Sequence, residues 1–220
     1  MFRRYGHRVR AGRHPGYRRP VLYLVRHGQT ATNAAGRLLG RGDPPLSPFG
    51  RSQAEALARL LPAGASVVTS PLTRARETAA ALGRPVTIDE RWIELDYGDL
   101  DGVPVADVPD ETWRRWRVDP EFAPPGGETL ATLGTRVREA CEELRESALT
   151  TDVVVVTHVS PVKAALAWAL GAGDEVAWRM FVELGSVATV AFDPWGAQLR
   201  AFNQVPLPAP SPRASPSSAG

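Results

Sequence analysis

Four side chains in this sequence could together grip a compact anion: Arg26, His27, Arg74 and His158. Arg26 offers a rigid fork of donors that fits phosphate or carboxylate. His27 carries a nitrogen able to act as nucleophile or proton carrier. Arg74 falls in the first turn of a predicted helix, where a cation opposes the helix dipole unless an anion sits nearby. Arg76, in the same turn, is read as a solvated surface residue. His158 ends another apolar strand. Two imidazoles would also suit zinc, but two guanidinium groups alongside would repel the ion, so zinc ranks below phosphate. There is no Walker glycine loop and no dense carboxylate cluster for magnesium. A phosphoryl group neutralised by side chains is the natural ligand, and no metal or other cofactor is expected.

The elements that must position these residues can be read from hydrophobic runs. Residues 21–25 (Val-Leu-Tyr-Leu-Val) form a short apolar strand that stops at Arg26-His27-Gly28. Residues 66–69 form a second strand, and 152–157, with four consecutive valines, another. Further strands fall at 86–88, 187–192 and 198–202. Ser47-Pro48, Ser70-Pro71 and Ser160-Pro161 each read as a helix start, with serine capping and proline in the first turn. Ala54, Leu57, Leu60 and Leu61 supply the buried stripe of the first helix. Leu72, Ala75, Ala79 and Leu82 supply that of the second, which Gly83 ends. A helix over 128–146 puts Leu130, Leu133, Val137, Cys141 and Leu144 on one face, so Cys141 reads as a small core residue. A short helical piece is predicted near 113–117. Strands alternating with helices indicate an α/β fold, a three-layer α/β/α sandwich with a mostly parallel central sheet. Ligands of such sheets sit at the carboxyl ends of strands. Parallel neighbours would therefore bring the two imidazoles and two guanidinium groups to one edge, where Gly28 would let backbone approach a ligand.

The segment 90–102 mixes Glu94, Asp96, Asp99 and Asp101 with Trp92, Ile93, Leu95 and Tyr97. Either one acid is held in a cleft, or all are solvated loop charges. Arg41-Gly42-Asp43, an adhesion tripeptide in extracellular proteins, is read as chance.

Length sets one domain with a good-sized core as the prior for 220 residues. No apolar run approaches the ~18 residues of a membrane span. A single cysteine excludes an internal disulfide framework and suits the cytoplasm. The formal charge of +2 is misleading: residues 1–20 hold seven arginines and no acid, and subtracting those seven from 26 leaves 19 basic against 24 acidic residues. Residues 1–18 are expected to be a disordered Arg-rich tail. They lack the apolar core of a secretory signal, and nucleic-acid binding through their charge is weighed and set low. Residues 206–220, rich in Pro, Ser and Ala, are expected to be disordered. The folded domain is placed at 19–205.

The motifs resemble the histidine phosphatase superfamily, also called phosphoglycerate mutase-like. The leading motif stands as Leu24-Val25-Arg26-His27-Gly28-Gln29-Thr30, with Asn33 beyond it. The next stands as Asp43, Leu46-Ser47, Gly50 and Gln53-Ala54, and the third as Ser70-Pro71-Leu72-Thr73-Arg74-Ala75 with Thr78-Ala79. Glu94-Leu95-Asp96-Tyr97-Gly98 and Gly126-Gly127-Glu128-Thr129 follow, and Val156-Thr157-His158 closes the set. Two departures stand out: Val159-Ser160-Pro161 where the family often has glycine, and Leu100-Asp101-Gly102 where many members have Trp-Glu-Gly. The resemblance implies that His27 is a nucleophile carrying a phosphohistidine. It implies that Arg26, Arg74 and His158 hold the phosphoryl oxygens, with Asn33, Gln29 and Thr30 in the phosphate-binding set. It casts Glu94 as general acid and then base, a role that asks for an apolar setting. The reaction implied is metal-independent hydrolysis of a small phosphomonoester, by a monomer or homodimer. A mutase is the alternative, with Arg114, Arg115 and Arg117 over the substrate, and a phosphate-binding module without turnover is a third reading.

Overall fold

The computed structural model describes residues 21–207 except 149 and 194; the expectations for residues 1–18 and 208–220 lie outside that range. In chain order the elements are β1 (Val21–Arg26), α1 (Ala31–Ala34), α2 (Pro48–Leu60), β2 (Ser66–Thr69), α3 (Thr73–Ala80), β3 (Thr87–Ile88), α4 (Asp110–Val118), α5 (Leu130–Ser147), β4 (Val153–Thr157), α6 (Val159–Leu170), β5 (Val187–Asp193) and β6 (Gly196–Gln204). Short 3-10 turns intervene, among them Glu90–Trp92 and Asp174–Arg179.

The six strands form one sheet in the order β3-β2-β4-β1-β5-β6. β1, β2, β3 and β4 run parallel, and β5 and β6 turn antiparallel at one side. Alternation along the central strands divides the core. Leu22, Leu24, Val153 and Val155 face one way, onto α5 and α6 through Val137, Cys141, Val162 and Leu166. Val25, Val154 and Val156 face the other way, onto α2 and α3 through Leu57, Ala75 and Ala79. A strand buried on both faces needs apolar residues at every position, which explains the valine run of β4. The result is the three-layer arrangement expected, with β1, β4 and β2 as parallel neighbours.

Several local readings need correction. Leu60 is half exposed rather than part of the stripe of α2, whereas Leu61 packs inward just past the helix end. Ser47 caps α2 as predicted, accepting the Gly50 amide at 3.0 Å. Ser70 does not cap α3: the helix begins at Thr73 and its first amide is met from outside by Asp43 at 2.6 Å. Ser160 does not cap α6 either, because the helix begins at Val159 with His158 in the cap position. Both serines have other partners, at the carboxyl ends of the strands.

Candidate active site

β1 ends one residue before His27, whose amide donates to the Thr157 carbonyl of the neighbouring strand end at 2.9 Å. The His27 ring is almost fully buried. Its Nδ1 lies 2.7 Å from the Gly28 carbonyl oxygen, which can only accept, so Nδ1 carries the proton and Nε2 keeps its lone pair. Arg74 Nε donates to that Nε2 at 3.2 Å. The His158 ring stands 5.0 Å away, centroid to centroid, at 62°. Its Nε2 lies 2.7 Å from Ser70 Oγ. Ser70 Oγ accepts the Leu72 amide at 3.3 Å and has no acceptor for its own proton among the described residues other than His158 Nε2, so the proton is assigned there. That arrangement puts the remaining ring proton of His158 on Nδ1, a buried atom with no partner among the described residues. Arg26 Nε is buried and unpartnered in the same way, while Nη1 donates to the Val182 carbonyl at 2.6 Å.

Arg74 is fully buried, so the doubt that it is a surface residue is justified; Arg76 is exposed. Arg74 Nη1 donates to Gly42 O and Nη2 to Gly40 O, both at 2.7 Å. With Nε on His27, three of the ~5 N–H groups of a guanidinium are engaged and two stay free for a ligand. The loop that holds Arg74 is itself tied down. Asp101 accepts the Gly40 and Gly42 amides at 2.9 and 2.7 Å. Asp43 accepts both the amide and the hydroxyl of Thr73. Arg41 Nε donates to the Glu94 carbonyl at 3.0 Å. Nothing here bears on adhesion; Arg41, Gly42 and Asp43 instead bracket Arg74 on one side and Glu94 on the other.

Glu94 is buried beside these groups rather than solvated. Its Oε1 accepts the amides of Leu95 at 2.8 Å and Ser160 at 3.2 Å, and Oε2 has no hydrogen bond among the described residues. The Ser160 amide thus serves Glu94 at the first turn of α6. Arg136 fixes the backbone leading to Glu94 by donating to the carbonyls of Arg91 and Ile93 at 2.6 and 2.8 Å. Glu128 in turn holds Arg136 at 2.8 Å and Arg41 at 3.3 Å. Asp96, Asp99 and Asp101 stay partly or fully at the surface.

Burial, and then the charges of Arg74 and Arg26, hold the His27 imidazole well below the ordinary histidine range, while its bond to Gly28 opposes the shift. Desolvation leads and the two guanidinium charges follow. Burial depresses His158 likewise, followed by Arg74, His27 and Arg26. Both rings are neutral near pH 7. Burial also draws Arg26 and Arg74 down, and the nearby charge of Glu94 pulls both back up.

The remaining predicted ligands fare unevenly. Thr30 is closed within a capping box on α1: its hydroxyl donates to Asn33 Oδ1 at 2.9 Å and accepts the Asn33 amide at 3.2 Å. No polar group of its side chain is left for phosphate. Asn33 spends Oδ1 on that box and Gln29 spends Oε1 on Ser47, so each keeps only its amide nitrogen as a donor. Gly28 makes room for protein rather than ligand, since a Cβ there would stand 2.4 Å from the Gly50 carbonyl of α2. Arg114, Arg115 and Arg117 are all exposed, and α4 turns Trp116 inward instead. Among the described residues no group of three or more His, Cys, Asp or Glu side chains could hold a metal ion, and no helix is long and apolar enough to cross a membrane.

Sequence reasoning missed Ser70, Arg41, Arg136 and Glu128 as supporting residues. Ser70 carried a signal, a buried-strand end next to a proline, that was assigned to capping.

Two imidazoles and two guanidinium groups thus meet at the carboxyl ends of β1, β4 and β2 of an α/β sandwich, a set of groups suited to an oxyanion. Residues 22–205 match the profile of the histidine phosphatase superfamily (branch 1), and the chain belongs to that family. A bifunctional protein of Mycobacterium tuberculosis is 37% identical over 194 residues, covering 83% of this chain and 53% of the relative. The chain thus spans about half the length of the first curated relatives it matches. Phosphoserine phosphatase 1 of Hydrogenobacter thermophilus is 35% identical over 181 residues, covering 77% of this chain and 85% of that one. The solved mycobacterial glucosyl-3-phosphoglycerate phosphatase superposes with a TM-score of 0.75 at 30% identity, over 84% of this chain and 98% of that chain. Proteins named probable phosphoglycerate mutases match as well.

Proposed function

We propose that the protein is a metal-independent phosphomonoesterase acting on a small phosphorylated metabolite through a phosphohistidine on His27. One observation carries this reading. Arg26 Nε and His158 Nδ1 are buried without partners among the described residues, beside a neutral His27 whose unprotonated Nε2 accepts only the 3.2 Å bond from Arg74 Nε, a contact that gives way when phosphorus is attacked. A buried donor left unpaired costs ~1–3 kcal/mol. Two such donors in one place, with two spare N–H groups on Arg74, suit a tetrahedral oxyanion that satisfies them.

The chemistry runs in two displacements. His27 Nε2 gives its lone pair to phosphorus, and the bond from phosphorus to the ester oxygen breaks. The leaving alkoxide takes the proton of the Glu94 carboxyl. Water then attacks the phosphohistidine, the Glu94 carboxylate accepts its proton, and the P–N bond electrons return to Nε2. Arg26, Arg74 and His158 stay in place throughout and stabilise the charge on the equatorial oxygens, a contribution of the order of 10²–10³ in rate per donor.

The names of relatives put phosphoserine, glucosyl-3-phosphoglycerate and α-ribazole phosphates within the candidate substrates. Arg114 pairs with Glu111, Arg115 lies over Phe122 and Arg117 over Trp178, and none of the three bonds Arg26, His27, Arg74, Glu94 or His158, which supports hydrolysis over mutase chemistry. The lone, buried thiol of Cys141 suits a reducing compartment, read as the cytoplasm. The test is release of p-nitrophenol from p-nitrophenyl phosphate in EDTA by the wild type, its loss in His27→Ala, and acid-labile radiolabel trapped on His27. Sustained turnover by a folded His27→Ala protein would remove the nucleophile assignment. Isomerisation of phosphoglycerate without phosphate release would move the protein to the mutase reading.

A further inference from the structure

A second feature lies against Glu94. A cavity of about 160 Å³ is walled by Tyr97, Trp113, Trp116 and Trp178, with Ser160 and Lys163 of α6 on one side. It shares a boundary with the reacting centre: the Ser160 amide bonds Glu94 Oε1, and the Tyr97 hydroxyl lies 3.5 Å from Ser160 Oγ. Ser160 is thus common to the cavity wall and to the contact that holds Glu94.

Its size and chemistry are specific. An apolar cavity of ~150 Å³ accommodates a benzene-sized body. Two of its walls carry donors with no acceptor. Trp116 is buried to 1% exposure, yet its Nε1 has no partner among the described residues. Lys163, the only lysine in the sequence, has no hydrogen bond or ion pair among the described residues, and its Nζ sits 5.9 Å from the centre of the Trp178 ring. The carboxylate of Asp174 does not serve it, being held by Arg138 at 2.6 Å. A cation on an aromatic wall with an unmet indole N–H beside it calls for an anionic acceptor. A polyhydroxylated sugar would find few partners there.

We infer that this cavity is the leaving-group subsite and that it selects phosphomonoesters whose alcohol is an apolar, ring-sized body bearing a carboxylate, which Lys163 receives. The assignment deepens the phosphatase reading and takes its leaving-group sense from it.

The test compares benzyl phosphate with 4-carboxybenzyl phosphate, whose alcohols differ little in acidity. For the full-length wild type, the carboxylate raises kcat/KM by about ten- to a hundredfold, mostly through KM, the worth of one charge-assisted hydrogen bond. Lys163→Met erases that ratio and Lys163→Arg keeps most of it. Binding is read separately by tryptophan fluorescence in His27→Ala, where the carboxylated ester again binds at least tenfold more tightly. Equal kcat/KM for the two esters, or a preference that survives Lys163→Met, overturns the subsite. If the wild type hydrolyses neither these esters nor p-nitrophenyl phosphate, the phosphatase reading fails. The fluorescence preference then still decides the cavity's ligand: present, it upholds the carboxylate site, and absent, it removes it.

Discussion

Ser70→Ala isolates a contact that the site depends on and that touches no substrate. The hydroxyl sits 2.7 Å from His158 Nε2 and keeps the ring proton on Nδ1. Without it, the ring can turn or adopt the other tautomer, and Nδ1 ceases to be a dependable donor to phosphoryl oxygen. Loss of the donor altogether bounds the effect at about 10²–10³ in kcat. Loss of one net hydrogen bond, ~0.5–1.5 kcal/mol, bounds it from below at roughly 2- to 12-fold. Only orientation is lost, so kcat should fall between these limits, about 10- to 100-fold, with KM changing less. The buried ring nitrogen is also left unpaired, at a cost of ~1–3 kcal/mol, which lowers Tm by roughly 2–12 °C in a chain of this size. Steady-state turnover of p-nitrophenyl phosphate in EDTA, paired with thermal unfolding, measures both. A lower Tm with wild-type kcat would refute the reasoning, because the hydroxyl would then support the fold but not the imidazole. A nitrogen NMR shift placing the His158 proton on Nε2 in the wild type would refute it more directly.

Four further outcomes follow from the same geometry. His27 and His158 are both held well below their ordinary value of 6.5, so the acid limb of kcat/KM should lie well below pH 6.5 and not at it. The unfolded chain binds protons there that the native rings refuse, so stability falls as pH drops from 6.5 towards the lowered native values, which denaturant titrations at falling pH would show; flat stability over that window contradicts the buried, neutral rings. Glu94→Gln should slow esters of poorly acidic alcohols far more than p-nitrophenyl phosphate, whose leaving group needs little protonation; equal slowing would exclude the acid role. Glu128→Ala releases Arg136 and Arg41, the two groups bonded to the backbone around Glu94. Breaking this partly buried pair should cost ~3 kcal/mol and reduce kcat with it, and calorimetry showing an unchanged Tm would argue against the bracket.

Much of the fold was legible because its signals are local. The valine run of β4 and the apolar run of β1 have no other plausible home than strands buried on both faces, and their ends mark where His27 and His158 must stand. Arg74 betrayed itself as a cation at the wrong end of a helix. What stayed hidden were groups whose partners lie far along the chain. Ser70 looks like a cap in isolation; only the meeting of β2 and β4 shows that its hydroxyl belongs to His158, 88 residues on. Thr30 looks like one more donor in a polar loop, until the geometry of a four-residue helix closes it onto Asn33. The Trp113, Trp116 and Trp178 cluster comes from two separate segments, with ring centroids 5.7 to 6.2 Å apart, and no periodicity announces it.

The order in which the sheet is assembled carries a cost for synthesis. β1, the strand that ends at His27, precedes every other described strand in the chain, yet its hydrogen-bonding neighbours are β4, which begins at Val153, and β5, which begins at Val187. Until residue 153 is made both of its edges are open, and an apolar strand with open edges is a template for intermolecular pairing. Chains stopped short of Val187 should therefore collect in the insoluble fraction, because one edge of β1 stays open until β5 has been made.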